Sequence, residues 1–308
     1  MEHRPLVSIA IPAYNPGFFE PALVSALRQT CHDVEILVCD DSCAERIQHI
    51  VQTHGDARVR YVRNNTNLGF AGNFSQCFDL ARAEYIKFLN DDDLLHPECV
   101  ARMLAAFEEH GSALTLVTSK RRLINANGQP MKDALDTMPL TVVNARMIGR
   151  DLGDHVLRHS VNFIGEPTTV MFRKRDLVTG GDHIFRIGGN EYICLADLSL
   201  WLRLLSRGDA VYLADELSCF RVHQNQEQRK PDVALKCIVE RYYLIDDGIS
   251  LGFLRERHLQ AQALRSVLAI FRNVLADGNL PGASRERLSG LRQSIDARLA
   301  ALGATSPA

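Results

Sequence analysis

The first 120 residues alternate short apolar runs with amphipathic segments. Five apolar, β-branched runs indicate buried strands, and between them apolar residues recur at helical spacing. The predicted strands are 6–13, 34–39, 59–63, 85–89 and 113–119, and the predicted helices are 19–29, 45–54, 70–82 and 96–110. This alternation is typical of an α/β fold, with a mainly parallel, twisted sheet and helices on both of its faces.

After residue 120 the pattern predicts shorter and less regular elements. Strands are predicted at 123–130, 168–173, 211–213 and 218–222, and helices at 144–160 and 195–207. From Asp232 onward the apolar spacing is helical, with helices predicted at 234–244, 259–276 and 285–302. We therefore expect an α/β domain over residues 1–225 and a helical C-terminal extension over 226–308.

Composition narrows the class of protein. The 308 residues are 46% hydrophobic, which suffices for a packed core. The 35 basic and 37 acidic residues nearly balance, so we expect no nucleic-acid partner. No run approaches the ~20 apolar residues of a membrane helix, and run 6–13 is too short for a signal peptide. We expect a cytoplasmic protein with reduced cysteines, and a peripheral contact at the inner face of the membrane stays open.

Acidic residues follow two of the predicted strands. Asp40 and Asp41 follow the second strand, and Asp91, Asp92 and Asp93 follow the fourth. Ligands bind at the carboxyl ends of strands in open α/β sheets, and adjacent carboxylates repel unless a cation or hydrogen-bond donors compensate them. Mg²⁺ and Mn²⁺ prefer such oxygen ligands together with substrate phosphates. Helix capping is the simpler alternative, but it accounts for only one acid in each cluster.

Glycine-rich phosphate loops are missing from the sequence. Neither GxxxxGK[ST] nor GxGxxG occurs, which argues against nicotinamide and flavin chemistry. Gly69-Phe70-Ala71-Gly72 opens a predicted helix and could hold a phosphate at its N-terminus. An ordinary strand-to-helix turn is the simpler interpretation of these residues.

Five segments, taken together, resemble the family 2 glycosyltransferases, which have the GT-A fold. They are the opening strand and loop 7–15, the strand with paired acids 38–42, Asn67-Leu68-Gly69 with Asn73, the DxD region 85–93, and the "ED" segment 196–203. The resemblance covers about residues 5–225. It implies an inverting, nucleotide-sugar-dependent enzyme with a nucleotide-binding half at 1–120 and an acceptor half at 121–225.

The resemblance also implies roles for individual residues. Asp197 would be the catalytic base, and Asp41 would accept the imide N–H of uracil or thymine. The implied donor-binding residues are Pro12, Ala13, Tyr14, Asn15, Asp41, Asn67, Gly69, Asn73 and Asp91. The implied ligands of Mn²⁺ or Mg²⁺ are Asp92, Asp93 and His223, and the implied acceptor contacts are Glu166 and Trp201.

Two positions depart from the family pattern. Asn90 stands where many members have the first acid of DxD, so metal binding rests mainly on Asp92, with His223 as a partner. Ala196 replaces the usual glutamate before the base, which leaves Asp197 as the acid of that segment.

Structural roles remain alternatives for several of these side chains. Asp197 could cap a helix, His223 could pack at a strand end, Glu166 could form a turn, and Trp201 at helical spacing is most simply a core residue. His155 and His159 share one helical face, where a solvated surface is simpler than a metal pair.

The leading hypothesis is an inverting glycosyltransferase that uses a UDP- or dTDP-sugar. Its acceptor would be a glycan, a lipid-linked molecule or a protein, in surface polysaccharide or glycoconjugate biosynthesis. A nucleotidyltransferase and a non-catalytic nucleotide-sugar-binding subunit are the alternatives. The C-terminal helices leave three roles open: a homodimer interface, an acceptor lid or a membrane-facing surface.

Overall fold

The computed structural model describes residues 4–134, 137–177, 183–224, 231–276 and 280–303. Its strands are β1 (Val7–Ala13), β2 (Val34–Asp40), β3 (Val59–Arg63), β4 (Tyr85–Phe88), β5 (Leu94–Leu95), β6 (Leu114–Asn125), β7 (Ala145–Met147), β8 (Met171–Arg173), β9 (Arg186–Ile187), β10 (Asn190–Glu191) and β11 (Asp209–Val222). Its α-helices are α1 (Pro16–Leu27), α2 (Arg46–His54), α3 (Gly69–Leu80), α4 (Cys99–His110), α5 (Gly149–His159), α6 (Ala196–Leu205), α7 (Pro231–Ser250), α8 (Arg257–Leu275) and α9 (Gly282–Ala301).

The main sheet has a parallel part and a mixed part. Its strands follow the order β3-β2-β1-β4-β8-β6-β11-β5, and β7 pairs with β11. Strands β3, β2, β1 and β4 are mutually parallel, as the alternating pattern predicted. Strand β8 runs antiparallel to both β4 and β6, and β6 and β11 are parallel to each other. The α/β fold is confirmed, and the antiparallel pairs enter only beyond β4.

The structure corrects three element predictions in the second half of the sheet. Strands β6 and β11 are each continuous, whereas the pattern predicted two short strands in each region. The helix predicted at 144–160 begins late, because Ala145–Met147 pairs with β11 as an edge strand. Helix α5 then starts at Gly149, where a Cβ would lie 1.9 Å from the carbonyl oxygen of Gly208. Only glycine allows this close approach.

Two apolar cores cover the two faces of the sheet. Successive side chains of a strand point to opposite faces, so Ile9 and Ile11 join a core with α1, α2 and α4. Ala10 and Leu37 join the other core, which includes α3, α5 and α6. This second core continues into helices α7, α8 and α9. The predicted helices of the C-terminal extension are confirmed and pack on the α/β domain.

Two further sequence expectations can be compared with the fold. Cys194 and Cys237 form a disulfide between the segment before α6 and helix α7, which corrects the expectation of reduced thiols for these two residues, while the other six cysteines are free. The predicted limit between residues 225 and 226 lies outside the described residues. Within the ranges that the structure describes, no helix is long and apolar enough to span a bilayer.

Candidate active site

The carboxyl ends of the parallel strands bring the predicted acids to one edge of the sheet. Strand β1 pairs in parallel with β2 on one side and with β4 on the other. The chain therefore leaves Ala13, Asp40 and Phe88 at the same edge. Asp41 and the acids at 91–93 follow directly. This is the edge at which open α/β sheets bind ligands.

Asp41 is buried among N–H donors at the start of α3. It accepts hydrogen bonds from the backbone N–H groups of Leu68 (2.8 Å) and Gly69 (2.9 Å), and from the Asn64 side chain (2.7 Å). Gly69 has a φ of +70°, in the left-handed region that glycine adopts without strain. Asp41 therefore holds the start of α3, whereas α2, the helix that the capping alternative concerned, has no side-chain cap.

Asn67 and Asn73 hold the backbone at this edge of the sheet through side-chain hydrogen bonds. Asn73 is buried and donates to the carbonyl oxygens of Ala13 (3.3 Å) and Cys39 (3.1 Å), at the ends of β1 and β2. Asn67 donates to the Asp41 carbonyl oxygen at 3.0 Å. The Asn73 amide therefore holds the ends of β1 and β2 together, and its contact with the donor stays a prediction.

The loop after β1 is held by Asp91. One Asp91 oxygen accepts the backbone N–H groups of Tyr14 and Asn15, both at 2.7 Å. Asn15 in turn caps α1 through the Gly17 N–H at 2.9 Å, while Pro12 and Ala13 are buried within β1. The Tyr14 side chain is 61% exposed. Burial, and then the Asp92 charge, raise the pKa of Asp91 to about 6.

Asp92 and His223 form the pair that best fits a divalent cation. The Asp92 Oδ2 and His223 Nε2 atoms are 3.0 Å apart, and both side chains keep a small exposed area. The side-chain oxygen of Asn90, two residues before Asp92, has no hydrogen-bond partner. No cluster of three or more His, Cys, Asp or Glu side chains suited to a metal occurs in the described part of the chain. A cation here would therefore take its remaining ligands from phosphates and water.

Asp93 is a buried hub of the site. Its carboxylate accepts bonds from the Arg221 backbone N–H (2.9 Å), the Thr168 hydroxyl (2.7 Å) and the Asn90 amide (3.0 Å). Burial first, and then the Asp92 charge, raise its pKa well above the usual range. Since Asp93 has no exposed surface, the structure corrects its assignment as a metal ligand. It joins the end of β4 to β11.

Lys87, which no sequence motif identified as a candidate, lies close to Asp93. It is buried on β4, its Nζ donates to the Thr168 carbonyl oxygen, and burial lowers its pKa. Lys87 and Asp93 both contact Thr168, Lys87 at its carbonyl oxygen and Asp93 at its hydroxyl. The sequence signal that could have identified Lys87 is its position within the apolar run 85–89, where a charged residue is unexpected.

Asp197 lies in the first turn of α6, half-buried. Its Oδ2 accepts a 2.6 Å hydrogen bond from the Asn162 amide, and its Oδ1 accepts the Leu198 N–H at 2.7 Å. Burial raises the pKa of Asp197 to about 7, and the Glu166 charge adds to this, while the Asn162 bond opposes it. Asn162 belongs to no motif of the sequence, so only the folded chain identifies it as a partner.

Glu166 links the two groups of acids. Asn162 donates to Asp197 at 2.6 Å and to the Gly165 carbonyl oxygen at 3.2 Å, and Thr168 donates to Asp93 at 2.7 Å. Glu166 therefore lies on the short segment that joins Asp93 to Asp197, and its charge contributes to the raised pKa of both. It forms an ion pair with Arg121 at 2.8 Å, and both side chains are nearly buried. Asp92, next to Asp93, and Asp197 therefore belong to one site and not to opposite faces of the sheet.

Trp201 is a core residue. It has no exposed surface, its indole N–H donates to the Gly165 carbonyl oxygen at 2.9 Å, and its ring meets Phe172 edge-on. The structure therefore corrects the prediction that Trp201 contacts an acceptor. It supports the turn at Gly165 that carries Glu166.

Two cavities elsewhere in the described structure lack the features of an active site. One of about 330 Å³ lies beside the start of α5, lined by residues such as Arg150 and Asp209. Another of about 410 Å³ lies beside Arg4 and Lys174. Neither contains the acids of the strand ends, and neither brings a candidate base next to a metal-binding pair.

Comparison with known proteins agrees with this geometry. Residues 8–177 match the family described as glycosyl transferase family 2. An uncharacterised Mycobacterium tuberculosis protein is 29% identical over 82% of this chain and 79% of its own length. The Escherichia coli UDP-Glc:alpha-D-GlcNAc-diphosphoundecaprenol beta-1,3-glucosyltransferase WfaP is 38% identical over 29% of this chain and 36% of its own.

A solved structure confirms the predicted GT-A type of fold. S. aureus TarS 1–349 in complex with UDP-GlcNAc matches with a TM-score of 0.67 at 16% sequence identity. The match covers 96% of this chain and 83% of TarS 1–349. It therefore includes the C-terminal helices as well as the sheet.

Proposed function

The chain belongs to glycosyl transferase family 2 and is a glycosyltransferase, and we propose that it inverts the anomeric centre of a UDP- or dTDP-sugar that it transfers. The observation that carries the proposal is Asp197. It is a half-buried carboxylate with a pKa of about 7, in the same site as the Asp92–His223 pair.

The donor is proposed to bind across the ends of β1 and β2. The exposed Tyr14 ring can stack on a base, and Asp41 is the acceptor for an imide N–H. Two relatives support a uridine nucleotide: the TarS structure contains UDP-GlcNAc, and the name of WfaP specifies UDP-Glc. Asp91 contributes indirectly, because its bonds to the backbone of Tyr14 and Asn15 fix the loop under the donor.

A Mn²⁺ or Mg²⁺ ion is proposed to be held by Asp92 and His223. Oxygen and imidazole nitrogen are suitable ligands for Mn²⁺. When bound, the ion would supply charge stabilisation to the departing diphosphate. Asp93 holds the loop that presents Asp92, through its bonds to Arg221 and Thr168.

Asp197 is proposed to take the proton of the attacking acceptor hydroxyl. A base is most effective when its pKa lies near the operating pH, and the value of about 7 meets this condition. The Asn162 amide orients the carboxylate by its 2.6 Å bond. Attack from the face opposite the diphosphate in a single displacement gives inversion.

The acceptor is proposed to be a glycan or a lipid-linked or protein-bound sugar of a surface polysaccharide or glycoconjugate. The name of WfaP specifies a diphosphoundecaprenol-linked acceptor, which supports a lipid-linked acceptor here. Glu166, on the segment that joins Asp93 to Asp197, is the proposed acceptor contact.

The test combines donor binding with turnover. A panel of nucleotide sugars with Mn²⁺ is screened by thermal shift, because a ligand that binds only the folded state raises the unfolding temperature. Release of UDP or dTDP from the binding donor is then measured with and without acceptors. Asp197→Asn should keep the thermal shift and lose transfer, while Asp215→Asn, which breaks an exposed ion pair with Arg102, should change neither.

Two results would contradict the proposal. Near-normal transfer by Asp197→Asn would remove this residue as the base. Binding of nucleotide sugars without release of a nucleotide, across donors and acceptors, would favour the non-catalytic alternative.

A further inference from the structure

The segment that leads into α6 lacks a cap of its own. Leu195 occupies the N-cap position and offers no side-chain hydrogen bond. Glu240 of α7, only 8% exposed, supplies the missing acceptor. Its carboxylate accepts the backbone N–H groups of Ile193 (3.1 Å), Cys194 (3.0 Å) and Leu195 (2.8 Å). Asp197 stands two residues beyond Leu195.

Three successive N–H groups on one carboxylate form a strong anchor. Consecutive backbone N–H groups create a concave site for an anion, and hydrogen bonds to an ionised acceptor are stronger than neutral ones. Burial raises the pKa of Glu240, and the bonds from Leu195, Ile193 and Cys194 oppose this. The Cys194–Cys237 disulfide lies one helical turn away on α7 and ties the same segment.

Arg241, the next residue of α7, holds the other side of Asp197. Its guanidinium donates to the Ser160 carbonyl oxygen and, at 3.1 Å, to the Ser160 hydroxyl. Ser160 ends α5 with a φ of +56° and precedes by two residues Asn162, whose amide donates to Asp197. Ser160 and Asn162 thus connect Arg241 to the Asp197 carboxylate.

We propose that Glu240 and Arg241 are positioning residues for Asp197. Glu240 fixes the backbone from which Asp197 projects, and Arg241 fixes the turn from which Asn162 reaches the carboxylate. The inference rests on the proposed role of Asp197 as the base. It gives α7 of the C-terminal extension a part in turnover.

The experiment separates turnover from donor binding. Glu240→Gln keeps the size of the side chain and replaces one acceptor oxygen with an NH₂ group that faces the backbone N–H donors. Because a misplacement of about 1 Å can cost on the order of 100-fold in rate, we expect kcat for transfer to fall at least about tenfold. The donor KM should stay within about twofold, because the donor-binding residues are untouched. Amide hydrogen exchange at 193–195 should accelerate.

A second variant and a control complete the design. Arg241→Lys keeps the positive charge but shortens the side chain and removes Nη1, the nitrogen that donates to both oxygens of Ser160, and we expect a similar selective fall in kcat. It also tests the proposal if Glu240→Gln fails to fold. The control is Asp246→Asn on the same helix, which breaks only the exposed ion pair with Arg298 and should leave kcat, KM and exchange at 193–195 unchanged.

The outcomes distinguish this inference from the proposed function. Faster exchange at 193–195 with an unchanged kcat would overturn the positioning role and leave the function intact. Unchanged exchange in Glu240→Gln would overturn the anchor itself. Transfer retained by Asp197→Asn would overturn the proposed base, and with it the positioning of that base, whatever the two α7 variants do.

Discussion

Replacement of the Asp197 carboxylate should stabilise the protein while it abolishes transfer. The folded-state pKa of about 7 lies above the usual value of 3.8 because the group is buried. The folded protein therefore binds the Asp197 proton more tightly than the unfolded chain does. Below pH 3.8 the group is protonated in both states and does not change the free energy of unfolding. Between pH 3.8 and pH 7 its ionisation lowers that free energy progressively, and above pH 7 the loss is complete. Asp197→Asn removes this loss.

The size of the effect follows from the two pKa values. Their difference, 7 minus 3.8, multiplied by about 1.4 kcal/mol per pKa unit, gives about 4 kcal/mol at full ionisation. The same linkage relation gives about 2 kcal/mol at pH 5, where only the unfolded chain is ionised. Solvent that reaches the half-buried side chain makes the measured gain smaller than these values, but its increase with pH should persist.

Urea unfolding of the wild type and of Asp197→Asn at pH 5 and pH 8 measures this difference. The matched control is Asp56→Asn, the same chemical change at a carboxylate whose pKa is lowered by its hydrogen bond with Arg58. The folded state there prefers the charged form, so Asp56→Asn should lose stability at pH 8, by less than about 1 kcal/mol for so exposed a pair. If Asp197→Asn does not raise the free energy of unfolding, or if the increase is not larger at pH 8 than at pH 5, burial does not disfavour the ionised form of this carboxylate.

Three other predictions concern the site and its support. Asn162→Ala removes a bond that favours the ionised form of Asp197, so the midpoint of the rise of kcat with pH should move up by about one unit; an unmoved midpoint contradicts this. His223→Ala should raise the Mn²⁺ concentration for half-maximal activity about tenfold, and an unchanged requirement would exclude a histidine ligand. Gly153→Ala places a Cβ 2.2 Å from a ring carbon of Phe253. It should lower the free energy of unfolding in urea by about 1–3 kcal/mol. Its control, Gly290→Ala, meets nothing within 4 Å and should stabilise α9 by up to about 1 kcal/mol; equal effects would refute the steric argument.

The parallel half of the sheet could be predicted because its signals are local. Strands β1, β2 and β4 are buried along their whole length and mainly apolar, and polar residues follow each of them within two positions, at Asn15, Asp41 and Asn90. Parallel pairing then places Asp41 and Asp92 at one edge without further information. The place of Asp197 followed from the family resemblance and not from any local pattern.

The mixed half could not be predicted because polar residues interrupt its strands. Lys120 and Glu216 lie within β6 and β11, where they end the apolar runs that the pattern reads as strands. They pair with each other across the two strands at 2.9 Å, so both strands continue. Such a pairing depends on contact between residues far apart in the chain, which periodicity does not reveal.

The burial of each side chain distinguishes candidate residues that can contact a ligand from those that only support the site. Asp93 and Trp201 carry residue types that suit binding, yet their side chains face inward. Asp93 and Asp92 are neighbours in sequence and differ only in which way the loop turns them. The Glu240 anchor joins residues 45 to 47 positions apart, and a glutamate on an amphipathic helix gives no sign of it.

The apolar core that runs beneath both parts of the molecule has a practical consequence for expression. Leu152, Val156 and Leu157 of α5 share that core with Leu264 and Phe271 of α8. A fragment cut after residue 224 would bare these side chains to water, and large exposed apolar patches promote aggregation. Chimeras that exchange acceptor specificity should therefore keep α5 and the last three helices from the same parent.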